Sequence, residues 1–333
     1  MDLTGKATGT VEMPKMVAVA YDFMIDWNYR SQPNFRQLVT KHPVDVRTPG
    51  DRVRFSLFSD MAPVYTPLDE YKDPEPAKLA DANQVDVQIN TYGNWTIGTE
   101  KNKLVSLAGI DQYMAQSIAN NMLDSLDVIV QAVFQGGTNV YTNDKDGKVT
   151  RLANNAKVSN PAGGTASGVD TITAEQVMRA QLVRNGVTKL RDGSVPWTDG
   201  EGLYKLVTHP DVALDLRRDA GPAGWRTPHE YGAQDEIWRG VTGVFEGAAV
   251  CENPRCFNAL DGAGTPKARL YQSYLLGMHA TVEAIWKEAS FVAKPMDDAL
   301  DRFFRVGWKI YGGWAKYRPE SLVTFVNSSS MVV

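Results

Sequence analysis

The sequence predicts an α+β fold in which one long helix is combined with several separate strands. Residues 108–137 repeat apolar side chains with the helical period. Alternating apolar and polar residues, typical of strands, occur before this run at 52–58 and 84–98, and after it at 302–312 and 320–327. The chain therefore combines a central helix with strands that are far apart in sequence.

The first two strands are predicted to form a protruding hairpin. Their apolar positions alternate with polar ones, as expected of half-buried strands; these positions are Val53, Phe55, Leu57, Val85, Val87 and Ile89. The segment between the strands holds four prolines and many charges, and loops of this length in compact domains are uncommon and often functional. Because an isolated two-stranded hairpin is marginal in water, its apolar side is expected to need a neighbouring surface.

The helix over residues 108–137 is the strongest helical pattern in the chain. Spacings of three and four place its apolar residues on one stripe; they are Ile110, Met114, Ile118, Met122, Leu126, Ile129, Val130 and Val133. Gly136 and Gly137 are expected to end it. A helix of this length measures about 42 Å, at about 1.5 Å per residue, which predicts a spine for the molecule.

Shorter elements are predicted on either side of the spine. Residues 16–32 could form a short helix within an otherwise irregular leading segment, and 141–168 has the composition of a loop. A helix is expected over 173–186, where Thr173 and Gln176 form a capping box and Asn185-Gly186 ends it. The strand at 202–208 leads into a helix that Thr208 and Asp211 are expected to cap. Glycines at 240, 243 and 247 are expected to permit tight turns between short strands.

Composition sets bounds on function. A chain of 333 residues is long enough for about two domains. A net charge of −4 gives no general basic surface of the kind nucleic-acid binding uses. The first residues lack the pattern of a signal peptide, and no run of about 18 apolar residues predicts a membrane span. We therefore expect a soluble protein made in a cytoplasm.

The motifs of enzymes and metal sites are missing from the sequence. The spacing of Cys251 and Cys256 does not match a zinc site, and two buried or half-buried thiols are expected instead. His209, beside a helix start, and His229, in a loop, are expected to have no catalytic role. No phosphate-binding glycine loop or nucleophile elbow occurs. The sequence therefore predicts no catalytic residue, no cofactor and no metal.

Four stretches, in order, carry a resemblance to a known family. They are "YTPLDEYKDPEP" with "VDVQINTYGNWTIGTEK" (65–76 and 85–101), "LVTHPDVALDLRRD" (206–219), "EIWRGVTGVFEGAAVCEN" (236–253) and "GWKIYGGWAKYRPESLVTFV" (307–326). Together they resemble the major capsid proteins of tailed double-stranded DNA phages, which share the Hong Kong 97 fold. The likeness is to the branch typified by the coat protein of coliphage N-four. One departure is Tyr71, where that branch usually has glycine.

The resemblance implies a domain organisation. Residues 1–50 would form an N-terminal arm, and 51–100 an extended loop that lies over a neighbouring subunit. Residues 101–200 and 291–333, with the spine helix at 108–136, would form the peripheral domain. Residues 201–290 would form the axial domain, which meets its copies at the centres of hexamers and pentamers.

The same resemblance implies a structural function in the virion, with assembly in the host cytoplasm. The chain would assemble with itself into hexamers and pentamers of an icosahedral head, enclosing double-stranded DNA without sequence-specific binding or membrane contact. The arm is too short for a long fused scaffold, so a separate scaffolding protein or none is expected; a portal and a decoration protein are further possible partners. No lysine–asparagine crosslink is predicted. Candidate subunit-contact residues are Arg52, Arg54, Tyr65, Pro67, Leu68, Glu70, Tyr71, Trp225, Arg226 and Trp238.

Two other functions stay open at this point. A protein nanocompartment of the encapsulin type shares the fold, and it would be distinguished by a groove for cargo peptides on its inner face. A soluble hydrolase is the second alternative, and it would have a pocket of converging titratable groups.

Overall fold

The computed structural model describes residues 35–43, 50–57, 61, 63–65, 67–68, 70–71, 83–100, 110–144, 147–152, 172–198, 202–219, 241–261, 268–294 and 302–331. The chain divides into two compact units. Among the described residues, unit 1 takes those within Thr91–Leu126 and Lys287–Tyr311. Unit 2 takes those within Asn34–Asn90, Asp127–Trp286 and Gly312–Val333.

The described residues form fourteen strands and three α-helices. The strands up to the long helix are β1 (Thr40–Pro43), β2 (Arg52–Leu57), β3 (Asn83–Gln88) and β4 (Asn90–Thr99). The helices are α1 (Ile110–Gln135), α2 (Ala180–Asp192) and α3 (Pro210–Arg218). The remaining strands are β5 (Asn139–Asn143), β6 (Val149–Arg151), β7 (Tyr204–Thr208), β8 (Val241–Phe245), β9 (Ala248–Glu252), β10 (Phe257–Asp261), β11 (Arg269–Leu276), β12 (Thr281–Lys294), β13 (Phe303–Lys316) and β14 (Leu322–Asn327). Among these residues no helix has the length and apolarity to cross a membrane.

Unit 2 is built on a mixed sheet of eight strands. Seven of them follow the order β6-β5-β14-β11-β7-β9-β8, and β10 pairs with β11. The β14–β5 and β7–β9 pairs are parallel, and β14 and β11 are antiparallel over six residue pairs. All six residues of β14 are buried, as expected for a strand inside a covered sheet. Helices α2 and α3 supply the largest core cluster with this sheet, including Leu182, Leu190 and Leu216.

A second core cluster in unit 2 surrounds the C-terminal half of α1. The rings of Phe35, Phe134 and Tyr274 lie with centroids 5.6–5.9 Å apart. Residues 35–43 are part of this core, because Phe35 is fully buried and β1 pairs in parallel with β12. The expected helix end is confirmed, since the N–H groups of Gly136 and Gly137 close the last turn on Val133 and Phe134.

The predicted hairpin is confirmed as an antiparallel pair, β2 with β3, from Arg52 opposite Gln88 to Leu57 opposite Asn83. The expectation that its apolar side needs a neighbouring subunit is wrong for this part. Val53, Phe55, Val85 and Val87 pack on residues of β12 and the end of β13 from the same unit; these are Val282, Ala284 and Ala315, with Tyr317 beyond them. The second strand is also interrupted at Ile89, whose N–H bonds to the carbonyl of Asp51.

Unit 1 contains most of β4, the N-terminal half of α1, and the adjoining parts of β12 and β13. These strands belong to a four-stranded sheet of order β1-β12-β13-β4, in which β13 lies between β12 and β4. Asn121 of α1 accepts hydrogen bonds at its Oδ1 from Trp308 Nε1 (3.1 Å) and Asn94 Nδ2 (3.0 Å). One helix side chain therefore fixes both strands of the β4–β13 pair.

Two sequence predictions differ from the structure between 141 and 186. The predicted loop at 141–168 contains part of a hairpin, β5 with β6, whose turn is closed by Gly147 at φ +82°. The helix expected at 173–186 instead spans Ala180–Asp192. Thr173 and Gln176 do bond, N–H to Oε1 at 2.9 Å, but the next residues stay extended because Val177 bridges to Ser328.

The cap of α3 also differs from the predicted one. The N-cap is His209, whose Nδ1 accepts from the N–H of Asp211 at 3.2 Å. Thr208 cannot cap the helix because its hydroxyl is buried and bonded to Ser273 Oγ at 2.7 Å. The predicted helix at 16–32 lies outside the described residues.

Candidate subunit-interaction surfaces

The tip region of the β2–β3 hairpin presents large apolar side chains to solvent. We call the described residues between 61 and 71 the exposed loop. Met61 is 54% exposed, Val64 78%, Tyr65 92%, Leu68 72% and Tyr71 94%. Single exposed apolar residues are ordinary, but five within eleven positions are typical of a surface that a partner covers. The sequence-predicted residues Tyr65, Pro67, Leu68, Glu70 and Tyr71 all lie exposed in this loop.

An ion pair joins the two strands of the hairpin, β2 and β3. Arg54 donates to both carboxylate oxygens of Asp86, at 2.7 and 2.9 Å, and the two residues are directly opposite in the strand register. The hydrogen bond from Arg54 lowers the pKa of Asp86. Arg54, predicted to contact another subunit, thus has a partner on its own hairpin, and Arg52 is exposed beside it.

The sheet of unit 1 has a groove with a volume of about 380 Å³, which we call the Trp95 groove. Its lining includes Trp95, Val292, Arg305, Gly307, Trp308 and Lys309. The Arg305 guanidinium lies 5.6 Å from the centroid of the Trp95 ring, a cation–π distance. Trp95 itself is 61% exposed. The groove therefore joins an open aromatic face to two positive charges.

The sequence prediction missed this groove. The sequence predicts only strands at 84–98 and 302–312, and nothing in it brings Trp95 together with Arg305 and Lys309. A large tryptophan among polar neighbours in "YGNWTIG", together with cations two positions either side of Gly307, was the available signal. It could not be used, because the pairing of β4 with β13 joins positions about 200 residues apart.

The cluster around His209 has the residue types of an active site, but its contacts serve to stabilise the fold. Tyr271 OH donates to Asp211 Oδ2 at 2.8 Å, and the His209 and Tyr271 rings lie 4.7 Å apart. Burial lowers the pKa of His209, and burial followed by the bond to Asp211 raises that of Tyr271. The His209 Nδ1 atom is occupied by the helix cap. These contacts stabilise the start of α3.

Neither cysteine forms a disulfide, and, as expected, Cys251 is half-buried and Cys256 buried. Burial raises the pKa of the Cys256 thiol well above its usual value, so it stays protonated and unreactive at neutral pH. The described residues contain no group of three or more histidine, cysteine, aspartate or glutamate side chains that could hold a metal ion. Trp225, Arg226, Trp238 and His229 lie outside the described residues.

Comparison with known proteins gives a match in structure and not in sequence. No protein-family model matches the chain, and no curated protein matches it by sequence. Among solved structures, the capsid of Ralstonia phage GP4 superposes with a TM-score of 0.68 at 14% identity, over 92% of this chain and 94% of that one. The capsid asymmetric unit of cyanophage Pam1 gives 0.66 at 17% identity, over 93% and 95%.

A capsid structure of Helicobacter pylori bacteriophage KHP30 gives a TM-score of 0.60 at 12% identity, over 92% of this chain and 94% of that one. These matches cover nearly the whole of both chains. The fold is therefore that of phage capsid proteins, which confirms the predicted α+β, Hong Kong 97-like fold.

Proposed function

We propose that this chain is the major capsid protein of a tailed double-stranded DNA phage. It assembles with itself into hexamers and pentamers of an icosahedral head, is made in the host cytoplasm, and ends in the virion. The observation that carries the proposal is a likeness to phage capsid structures over more than nine-tenths of both chains.

The exposed loop supports self-assembly independently of that likeness. Five large apolar side chains at its described positions are open to water in the single chain. Burying them against other copies gains about 25 cal/mol for each Å² of apolar surface removed from water. Each contact is weak alone, but the contacts of a closed shell are repeated many times and add through multivalency.

We further propose the domain assignment that the resemblance implies. The hairpin and its loop, residues 51–100, reach over a neighbouring subunit. Residues 101–200 and 291–333 form the peripheral domain, and 201–290 the axial domain. The N-terminal arm extends over residues 1–50, and its last part is fixed by Phe35 in the core of unit 2.

The proposed head encloses DNA without reading its sequence. A net charge of −4 fits a wall that must not hold the packaged genome tightly, because tight DNA binding requires many cationic contacts to phosphate. A separate scaffolding protein, a portal and a decoration protein are the further partners of this proposal.

The proposal includes no enzymatic activity. The His209 cluster is engaged in capping α3 and bonding Asp211, so its most enzyme-like atoms already have structural partners. The phage head is preferred to an encapsulin-type compartment because the solved structures described above are phage capsids.

Electron microscopy and sedimentation of the purified protein test the proposal. We expect closed particles, or rings of six and five subunits, when the protein is expressed alone or with a scaffolding protein. The particle diameter then separates a large phage head from a small compartment. A single small oligomer at every concentration, unchanged by scaffolding protein or crowding agents, would contradict the proposal.

A further inference from the structure

A fully buried carboxylate lies on the part of β12 that belongs to unit 2. Glu283 has 0% of its surface exposed. Its Oε1 accepts a hydrogen bond from Arg36 Nε at 2.7 Å, and this ion pair joins β12 to the short 3-10 turn Phe35–Leu38 before β1. No donor from the described residues lies within hydrogen-bond distance of the second oxygen, Oε2. Burying a carboxylate is costly unless its oxygens are bonded, so Oε2 needs a donor.

A buried hydroxyl lies two positions away on the same strand. Thr281 is 2% exposed, and its Oγ1 also has no hydrogen-bond partner among the described residues. Alternate residues of a strand point to the same face, so Thr281 and Glu283 share one face of β12. Val282 and Ala284 occupy the other face and pack against the β2–β3 hairpin. The carboxylate oxygen and the hydroxyl are therefore side by side in the interior of unit 2.

The chemistry of these two groups selects a ligand that can both donate and accept a hydrogen bond. A water molecule meets this requirement, and buried waters typically make two to four hydrogen bonds to polar groups that the protein leaves unbonded. A cation is disfavoured because the Arg36 guanidinium already lies on the same carboxylate. An anion is repelled by that carboxylate.

We propose that one internal water molecule bridges Glu283 Oε2 and Thr281 Oγ1. The water donates to the carboxylate oxygen and shares a hydrogen bond with the hydroxyl. It thereby completes the bonding of the Arg36–Glu283 ion pair, which helps to hold residues 35–43 where β1 pairs with β12. The inference does not depend on the proposed self-assembly, because all three side chains belong to unit 2 of a single chain.

An experimental structure at a resolution that shows ordered waters provides the first test. We expect an isolated density peak at hydrogen-bond distance, about 2.6–3.2 Å, from both Glu283 Oε2 and Thr281 Oγ1. Thr281→Val removes the hydroxyl at nearly constant shape and should remove this peak. Thr281→Ser keeps the hydroxyl and should keep the peak.

Urea unfolding of the same variants provides the second test. Thr281→Val should lower the unfolding midpoint, because the water and the carboxylate then lose a bonded partner. A hydroxyl without any partner would give the opposite result, since replacing it by a methyl group leaves the midpoint unchanged or raises it. Thr208→Val, which loses the 2.7 Å bond to Ser273 Oγ, shows the size of an ordinary loss. Thr150→Val, at an exposed strand position, should have almost no effect.

The peak in the parent, its loss in Thr281→Val and a lower midpoint together support the water. A peak that contacts only one of the two atoms, or that lies at the shorter distances of a metal ion, overturns the bridge. A protein group bonded to Oε2, from elsewhere in the chain or from a second copy, also overturns it. So does a parent map without the peak. If circular dichroism shows that Thr281→Val does not fold, the maps of the parent and of Thr281→Ser decide.

Discussion

The backbone N–H of Phe35 donates a hydrogen bond to Asp127 Oδ1 over 2.9 Å, although the two residues are 92 positions apart. Asp127 is almost completely buried on α1, and its other oxygen lies 3.4 Å from Arg255 Nη1. A buried carboxylate is tolerated only when its oxygens are bonded. This contact therefore holds residues 35–43 to the core of unit 2.

Removing that carboxylate should be strongly destabilising. We expect Asp127→Ala to lower the free energy of unfolding by about 3–5 kcal/mol, because Arg255 and the Phe35 N–H then lose their buried partner. Urea unfolding followed by circular dichroism measures the change. The control is Asp192→Ala, an exposed carboxylate 3.1 Å from Lys189, whose loss should cost less than about 1 kcal/mol. Equal losses in the two variants would contradict the role assigned to Asp127.

The Phe35 ring should matter as much as its N–H. It is fully buried and lies edge-on to Phe134 and Tyr274, with centroids 5.8 and 5.9 Å away. Phe35→Ala should lower the free energy of unfolding by about 3–5 kcal/mol, and Phe35→Leu by clearly less. Phe291→Ala, at a half-exposed ring, is the control and should change it by about 0.5 kcal/mol or less. A small effect of Phe35→Ala would mean that residues 35–43 are dispensable for the core.

At Gly186, a steric contact with a neighbouring side chain opposes the higher helix propensity of alanine. It lies inside α2, where alanine is intrinsically favoured by about 1 kcal/mol. A Cβ at this position would come within 2.4 Å of Phe325 Cζ. We expect Gly186→Ala to destabilise the protein by about 1–3 kcal/mol, with partial rescue by Phe325→Leu, measured by thermal unfolding. Gly193→Ala, with its nearest atom 3.5 Å away, should be nearly neutral. Stabilisation by Gly186→Ala would disprove the close approach.

The same glycine explains where sequence reasoning succeeded and failed. The pair Asn185-Gly186 predicts a helix end, but the helix continues to Asp192, and the glycine leaves room for the Phe325 ring against the helix. The helix also begins at Ala180 and not at the predicted residue 173. There the Ala180 N–H donates to Asp219 Oδ2 at 2.8 Å, a contact with a residue 39 positions away. By contrast, α1 and the β2–β3 hairpin were predicted correctly because their periodic patterns are local.

The two candidate surfaces also differ in whether the sequence alone could locate them. The exposed loop could be located from sequence, because prolines, charges and apolar residues are mixed within one short segment. The Trp95 groove could not, because it depends on β4, β12 and β13 lying side by side. Likewise, nothing in the sequence pairs Arg54 with Asp86 until the hairpin register is known.

Stability should depend on the protonation of His209. Burial lowers the pKa of this residue in the folded state below its ordinary value of 6.5, with Asp211 partly offsetting the effect. The unfolded chain then binds the proton more readily, so the contribution of His209 to stability is present above pH 6.5 and is lost as the pH falls towards the folded-state pKa. His209→Asn keeps a good helix cap and removes the titration. The loss of urea midpoint between pH 7.5 and 5.5 should therefore be smaller in this variant than in the parent. An unchanged or larger loss would contradict this assignment.

Leu68 tests the exposed loop without disturbing the fold. Because this side chain is 72% exposed, Leu68→Ser should leave the unfolding midpoint within experimental error. If the loop is covered on assembly, the same change removes apolar surface worth about 1–3 kcal/mol per subunit contact. The protein concentration at which particles first sediment should then rise about tenfold, while Leu68→Met should assemble like the parent. Full assembly of Leu68→Ser at the parent concentration would exclude this side chain from the subunit contact. If the variant loses both assembly and stability, with a lower unfolding midpoint, Leu68 instead contributes to the fold of the single chain.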